Sequence, residues 1–149
     1  MDLIKNSPIK IMYAEDDDAD RMLLKEALVE AEINSDLETV TNGEALIKDL
    51  SKTDPDIIFL DLNIPRKNGK ECLHEIRSNN KFKDIPVIIF STCSFEEDVN
   101  DTYADGANMY VTKPISFKSH VEILKKIFSI NWRKKLLKHD KKEFLLCLQ

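Results

Sequence analysis

The chain contains no apolar stretch long enough to cross a membrane. Its hydrophobic runs fall far short of the roughly 20 residues that a membrane-spanning helix needs. The first residues, Met1 to Asn6, also lack the long apolar core of a signal peptide. We therefore expect a cytoplasmic protein that has no membrane partner.

Cysteine and surplus positive charge are both scarce. The three cysteines, Cys72, Cys93 and Cys147, are an odd number without the spacing of a metal site, which favours reduced thiols. The formal net charge of −5 argues against a general nucleic-acid binder, because such binders neutralise phosphates with surplus Lys and Arg. The histidines are too scattered for a metal site or a phosphotransfer helix, and we predict that all three lie on the surface: His74, His120 and His139.

Strand-like and helix-like segments alternate along the chain, and its length of 149 residues suggests one domain. This alternation predicts an α/β fold, a parallel sheet with helices on both faces. In the first helix, apolar residues at helical spacing should face the sheet, namely Met22, Leu23, Ala27, Leu28 and Ala31. The predicted strands cover about Ile9 to Ala14, Leu37 to Val40, Ile57 to Leu60, Pro86 to Phe90 and Met109 to Thr112.

Polar residues follow four of these apolar runs, at the point where each run ends. Because the carboxyl ends of parallel strands meet at one edge, where open α/β sheets place their ligand sites, we expect these groups to lie together. Acids, a hydroxyl and a lysine make a site for a divalent cation and a phosphoryl group. The groups are Glu15-Asp16-Asp17 after the first strand, Asp61 after the third, Ser91-Thr92 after the fourth and Lys113-Pro114 after the fifth.

The acids at this edge suit Mg²⁺, which prefers oxygen ligands. Asp16 and Asp61 could supply carboxylates, and the Asn63 backbone carbonyl is a further candidate ligand. Glu15 or Asp17 could hold a metal-bound water.

Asp61 is placed to attack phosphorus and form an aspartyl phosphate. Lys113 could contribute positive charge to the phosphoryl oxygens, and Ser91 could donate a hydroxyl hydrogen bond. Three further acids, Asp17, Asp18 and Asp20, are more typical of solvated residues at a helix N-terminus. Asp18 or Asp20 could cap the first helix.

Together these residues resemble the receiver domain of two-component response regulators. The resemblance covers roughly Ile9 to Phe128 and implies a doubly wound, flavodoxin-like sheet of five parallel strands in the order 2-1-3-4-5. It divides the chain into an N-terminal extension (1–8), a receiver domain (9–130) and a C-terminal helical tail (131–149). The matching motifs are Glu15-Asp16, Asp61-Leu62-Asn63-Ile64-Pro65, Asn68-Gly69, Ser91-Thr92, Gly106-Ala107-Asn108 and Lys113-Pro114.

The resemblance implies a signalling switch rather than an enzyme. A sensor histidine kinase or a histidine phosphotransfer protein would pass a phosphoryl group to Asp61 in a Mg²⁺-dependent phosphorelay. The resulting 4-aspartylphosphate would be lost slowly by self-catalysed dephosphorylation. The roles implied by position are direct metal ligand for Asp16, water-mediated ligand for Glu15, carbonyl ligand for Asn63, hydroxyl switch for Ser91 and phosphoryl contact for Lys113.

The resemblance also implies an output surface. Tyr110 occupies the aromatic switch position, where its ring would turn inward as phosphorylation draws Ser91 toward the phosphoryl group. The change would act on the face formed by the fourth helix, the fifth strand and the fifth helix, toward an unidentified downstream protein. The alternative is that Tyr110 is an ordinary amphipathic residue of an edge strand. Thr92 is bulkier than the Ala or Gly that many receivers carry at this position. Cys93 is interpreted as an idle thiol rather than a redox sensor. The Lys113–Pro114 peptide bond is cis in relatives, which implies a cis bond here.

We expect no output domain. The roughly 20 residues beyond the receiver are too few for the family's usual DNA-binding modules, so direct DNA binding is not expected. Phe117 and Trp132 resemble those of stand-alone receivers paired with bacterial phytochrome-type kinases. We predict that the basic tail extends the last helix, with Trp132 near its end, and packs on the domain or across a homodimer.

Two other functions are compatible with this topology. A phosphohydrolase with an aspartyl nucleophile needs a second acid two residues after it, where this chain has Asn63. A flavin-binding protein needs a hydroxyl-rich phosphate loop after the first strand, where the acids of this chain would repel the phosphate. Both alternatives are weaker than the switch.

Overall fold

The computed structural model describes residues 7–92, 94–133 and 144–146. Over these residues strands and helices alternate along the chain, and none of the helices is long and apolar enough to cross a membrane. The elements are β1 (Ile9–Ala14), α1 (Asp18–Glu30), β2 (Ser35–Val40), α2 (Gly43–Thr53), β3 (Ile57–Leu60), α3 (Gly69–Ser78), β4 (Val87–Ser91), α4 (Glu96–Ala104), β5 (Met109–Thr112), α5 (Phe117–Ile127) and β6 (Leu145–Leu146).

The strands form one parallel sheet in the order β2-β1-β3-β4-β5-β6. The first five positions confirm the predicted α/β doubly wound fold and its order 2-1-3-4-5. The sixth strand was not predicted. It pairs with β5 in a register that places Tyr110 beside Leu145 and Val111 beside Leu146.

The prediction that the last helix extends into the tail is wrong over residues 128–133, whereas farther along the described tail Phe144 is helical. Helix α5 ends at Ile127, so Trp132 lies beyond it, and the Trp132 indole donates a hydrogen bond of 2.8 Å to the Ile127 carbonyl oxygen. Leu145 and Leu146 form a strand instead, because the outer edge of β5 offers backbone groups that an extended segment can pair with. Cys93, His139 and Cys147 lie outside the described residues.

The sheet separates two hydrophobic cores. Strands β3 and β4 are buried along their whole length, as expected for central strands that are covered on both faces. On one face, α1 and α5 pack against strand residues that include Tyr13, Phe59 and Val111. On the other face, α2, α3 and α4 pack against residues that include Leu60 and Tyr110. Because side chains alternate along a strand, these cores indicate the face on which each strand-end residue lies.

Helix α1 is capped by Asp17, whose side chain accepts a hydrogen bond of 3.0 Å from the Asp20 amide. The prediction of Asp18 or Asp20 as the cap is therefore wrong. Met22 is 61% exposed, so the prediction that it faces the sheet is also wrong. The side of α1 that packs against the sheet instead carries the buried residues Leu24, Ala27, Leu28 and Ala31.

Ser116 caps α5 as its side-chain oxygen accepts from the Ser119 amide. His120 follows one turn later and is buried, with Nδ1 2.9 Å from the Ser116 carbonyl oxygen and its ring against the edge of Phe90. The prediction of a surface position is wrong for His120 and correct for His74. The described residues contain no cis peptide bond, so the expectation of a cis Lys113–Pro114 bond is also wrong.

Candidate functional site

Three of the predicted site residues, Glu15, Asp61 and Lys113, lie directly beyond the carboxyl ends of β1, β3 and β5. Each comes two residues after a strand residue that packs against α1 or α5, so all three side chains start on that face of the sheet. Their backbone amides continue the sheet's hydrogen bonding by one residue, which fixes where each side chain begins. The acceptors are the carbonyl oxygens of Val40, Ala14 and Ser91, at 3.0, 3.2 and 2.8 Å.

The Lys113 ammonium joins three carboxylates. Its Nζ lies 2.9 Å from Asp20 Oδ2 and 2.9 Å from Asp61 Oδ2, and it also contacts Glu15 Oε1. A lysine ammonium has three N–H groups, so each carboxylate takes one of them. The Lys113, Glu15 and Asp61 side chains are only 6%, 2% and 9% exposed, whereas that of Asp20 is 31% exposed. We refer to these residues as the acidic cluster: Glu15, Asp20, Asp61 and Lys113.

Neighbouring groups orient Glu15. The Tyr13 hydroxyl donates to Glu15 Oε1 at 3.2 Å, and the Asp17 backbone amide donates to Oε2 at 3.2 Å. The Arg21 guanidinium donates to the Glu15 carbonyl oxygen at 2.7 Å. This last bond ties the first turns of α1 to the end of β1, and so holds the helix beside the cluster.

The acidic cluster sets a single cation against three acids. Burial, assisted by Asp61, raises the pKa of Glu15 to about 7 despite the opposing effect of Lys113. Burial acts to lower the pKa of Lys113, but its interactions with the three carboxylates outweigh burial and raise that pKa above its ordinary value. Burial and the charge of Glu15 also raise the pKa of Tyr13. With one cation for three acids, the cluster has less positive than negative charge when its carboxylates are ionised.

The predicted metal ligands are only partly assembled. Glu15 and Asp61 meet through Lys113, while Asp16 and Asn63 are exposed, and the Asn63 amide donates to Asp61 Oδ1 at 3.2 Å. Within the described residues, no three acidic, His or Cys side chains form a group that could hold a metal. The donor set consists of oxygens that carry surplus negative charge, and this chemistry fits a hard divalent cation.

Ser91 and Tyr110 lie on the other face of the sheet. On β4, Ile89 packs in the same core as Tyr110, and strand alternation puts the Ser91 side chain on that face too. Both residues are fully buried, whereas Thr92 is exposed. Because β6 pairs with β5, the alternative interpretation of Tyr110 as an edge-strand residue does not hold in the described part of the chain.

Phe144, just before β6, covers Tyr110 from the tail. The two rings lie 6.3 Å apart between centroids, and the Phe144 ring lies 5.2 Å from that of Tyr103 in α4, both in edge-on contacts. Phe144 is almost completely buried. We refer to Tyr103, Tyr110 and Phe144 as the aromatic cluster. It lies between α4 and β5, on the face for which the sequence predicts output.

Sequence reasoning missed Asp20 as a site residue and treated it as a solvated cap. The missing step was the choice of cap. With Asp17 as the N-cap, Asp20 falls at the third helical position, one turn into α1 and facing the end of β1. The acids of this segment are close together in the sequence, so the sequence did not show which of them is the N-cap. With Asp17 assigned as the N-cap, the position of Asp20 on the helix would have followed.

The chain is similar to known receiver proteins. The family profile described as "Response regulator receiver domain" matches residues 11–125. Response regulator Rcp1 of Synechocystis sp. is 34% identical over 131 residues, which cover 83% of this chain and 89% of Rcp1.

Solved structures agree with this match. The phosphorylated cyanobacterial phytochrome response regulator RcpA has a TM-score of 0.75 at 35% identity, over 81% of this chain and 91% of RcpA. The Mn²⁺-bound form of Rcp1 has a TM-score of 0.74 at 32% identity, over 89% of this chain and 99% of Rcp1. The chain therefore belongs to the response regulator receiver domain family of two-component signalling.

Proposed function

We propose that this protein is a phospho-acceptor switch in which Asp61 takes a phosphoryl group from phosphohistidine. The donor is a sensor histidine kinase, for which the similarity to phytochrome response regulators favours a phytochrome-type kinase, or a histidine phosphotransfer protein. One observation carries the proposal. The Asp61 carboxylate lies at the carboxyl edge of the sheet, 2.9 Å from the ammonium of a buried Lys113.

The chemistry requires little beyond positioning and charge. An Asp61 carboxylate oxygen attacks phosphorus, and the P–N bond to the donor histidine breaks as the P–O bond forms. Lys113 donates hydrogen bonds to the phosphoryl oxygens, and Ser91 supplies a hydroxyl. Slow hydrolysis of the acyl phosphate resets the switch.

A divalent cation completes the proposed site. Glu15, Asp16, Asp61 and the Asn63 carbonyl would hold Mg²⁺, which when bound supplies the positive charge that a phosphoryl dianion needs. The charge deficit of the acidic cluster supports this assignment, as does the Mn²⁺-bound form of the similar protein Rcp1.

The proposed output passes through the opposite face of the sheet. Ser91 and Tyr110 share that face, so a movement of Ser91 toward the phosphoryl group changes the space beside Tyr110, with Thr92 at the exposed end of β4. The α4-β5-α5 surface then signals to a downstream protein by protein–protein contact, without direct DNA binding. In the phosphorylated state, two copies of the protein could also pair through this surface to form a homodimer.

Intact mass measured after incubation with acetyl phosphate or phosphoramidate, with and without Mg²⁺, tests the proposal. Wild type should gain one phosphoryl group only with Mg²⁺, and Asp61→Asn should gain none. Asp36→Asn, which removes an exposed acid from β2, should behave like wild type. An adduct that persists in Asp61→Asn, or no adduct in wild type with either donor, contradicts the proposal.

A further inference from the structure

The hydrogen bonds of Lys113 are fully used in the described structure. Its three N–H groups are divided among Glu15, Asp20 and Asp61. If Asp61 carries a phosphoryl group, as in the proposed function on which this inference rests, Lys113 must give an N–H group to a phosphoryl oxygen. The N–H group now given to Asp61 can pass to the phosphoryl group that Asp61 carries, and a second bond to the phosphoryl oxygens then displaces Glu15 or Asp20.

We propose that Asp20 is the exchangeable partner, a positioning residue that holds Lys113 before phosphorylation and yields it to the phosphoryl group. The difference in burial supports this choice. The Asp20 side chain is 31% exposed, against 2% for Glu15 and 9% for Asp61, so of the three carboxylates Asp20 is the one that can turn into solvent without opening the core. A carboxylate that stays buried without a partner is far more costly than one that turns into water.

The backbone around Asp20 allows this exchange without moving the helix. The Asp20 amide is held by the Asp17 side chain at 3.0 Å, and Arg21 ties the same turn to the Glu15 carbonyl oxygen at 2.7 Å. These bonds do not involve the Asp20 carboxylate. Its release is therefore a side-chain rotation toward solvent.

The exchange makes Asp20 a competitor of the phosphoryl group for Lys113. Removing its charge should therefore tighten the binding of a phosphoryl analogue. A partly exposed ion pair of this kind supports an effect of about two- to fivefold. If Asp20 instead held Lys113 in the geometry needed to bind the phosphoryl group, its removal would weaken binding, so the sign of the effect separates the two roles.

The test is calorimetric titration with beryllofluoride at saturating Mg²⁺. Asp20→Asn and Asp20→Ala are compared with wild type, each after its fold is checked by circular dichroism. Asp18→Asn is the matched control, because it removes one acid from the same turn of α1 that pairs with Arg21 rather than with Lys113. We expect tighter binding in both Asp20 variants and unchanged affinity in Asp18→Asn.

Unchanged or weaker binding in both Asp20 variants would overturn the inference and leave the proposed function intact. Equal tightening in Asp18→Asn would also overturn it, because the effect would then be one of general charge. A wild-type protein that binds no beryllofluoride and takes no phosphoryl group would overturn the proposed function and this inference with it.

Discussion

The two faces of the sheet near its carboxyl edge are stabilised by different forces. On the side of α1 and α5, the acidic cluster holds three acids around one lysine, and burial, assisted by Asp61, raises the pKa of Glu15. On the other side, the aromatic cluster is closed by apolar contact between Phe144 and the rings of Tyr103 and Tyr110. One face can respond to a charged ligand, and the other to a change in packing.

This difference has a consequence for signalling. A cation or a phosphoryl group acts directly only on the acidic cluster, because charge differences are felt where groups are buried and close. The effect must cross the sheet to reach Tyr110, and β4 offers a route, since Ser91 lies at its end and its carbonyl oxygen accepts from the Lys113 amide at 2.8 Å. Variants on each face should therefore differ in their response to Mg²⁺.

Lys113→Ala should produce the largest loss of stability. It leaves Glu15 and Asp61 buried without their cation, and we expect the free energy of unfolding to fall by about 4 kcal/mol at pH 7.5 without metal. Mg²⁺ should restore part of this loss. Urea unfolding with and without Mg²⁺ measures both effects. Lys70→Ala, which removes exposed pairs with Asp98 and Asp101, should cost less than about 1 kcal/mol and show no rescue.

The pH dependence of stability should expose Glu15. Its pKa rises from 4.5 to about 7 on folding, so between these values the folded protein binds the extra proton. The contribution of Glu15 to stability is thus greatest below pH 4.5 and is lost as pH rises toward 7, by about 3 kcal/mol at about 1.4 kcal/mol per pKa unit. Metal-free urea unfolding from pH 5 to pH 8, compared between wild type and Glu15→Gln, isolates this term.

In Glu15→Gln, the part of the fall in unfolding free energy that comes from Glu15 should vanish. In wild type, Mg²⁺ should make the fall in unfolding free energy with rising pH smaller. A variant that keeps the wild-type profile would show that Glu15 titrates normally. Burial in the acidic cluster would then impose no penalty on the charged form of Glu15, contrary to the expected difference between the two clusters.

Phe144→Ala should have the smallest effect on stability and none on the acidic cluster. Strand β6 spans only two residues at the edge of the sheet, so we expect a loss of about 1–2 kcal/mol, with faster exchange of the β5 amide that points toward β6. Hydrogen exchange and urea unfolding measure these changes. Mg²⁺ should not rescue them, and Phe95→Ala, at an exposed site, is the control. Recovery with Mg²⁺ would contradict the separation of the two faces.

The parts of the fold that follow from local pattern were predictable. Short apolar runs such as Ile57–Leu60 are typical of central strands, and polar residues at the ends of such strands share one edge. The meeting of Glu15, Asp61 and Lys113 at that edge was predicted in this way. The Ser116 cap of α5 was predictable for the same reason, because its side chain acts on a nearby amide.

The failures involve residues whose environment is set from elsewhere in the chain. Met22 and His120 both lie in helices, but which side of each helix is buried depends on its rotation against the sheet. The consecutive acids after β1 did not indicate which one caps α1, and so Asp20 was missed. Pairing between Leu145 and Tyr110 joins distant segments, which a local pattern cannot reveal.

The sequence by itself determined the order of strands and helices and the residues at the edge of the sheet, because apolar periodicity and strand ends are local properties. Only the tertiary structure decided that Lys113 is shared by three carboxylates, that Glu15 is buried enough to raise its pKa, and that Phe144 covers Tyr110. The physical reason is that charge balance, burial and strand pairing depend on distances between segments far apart in the chain.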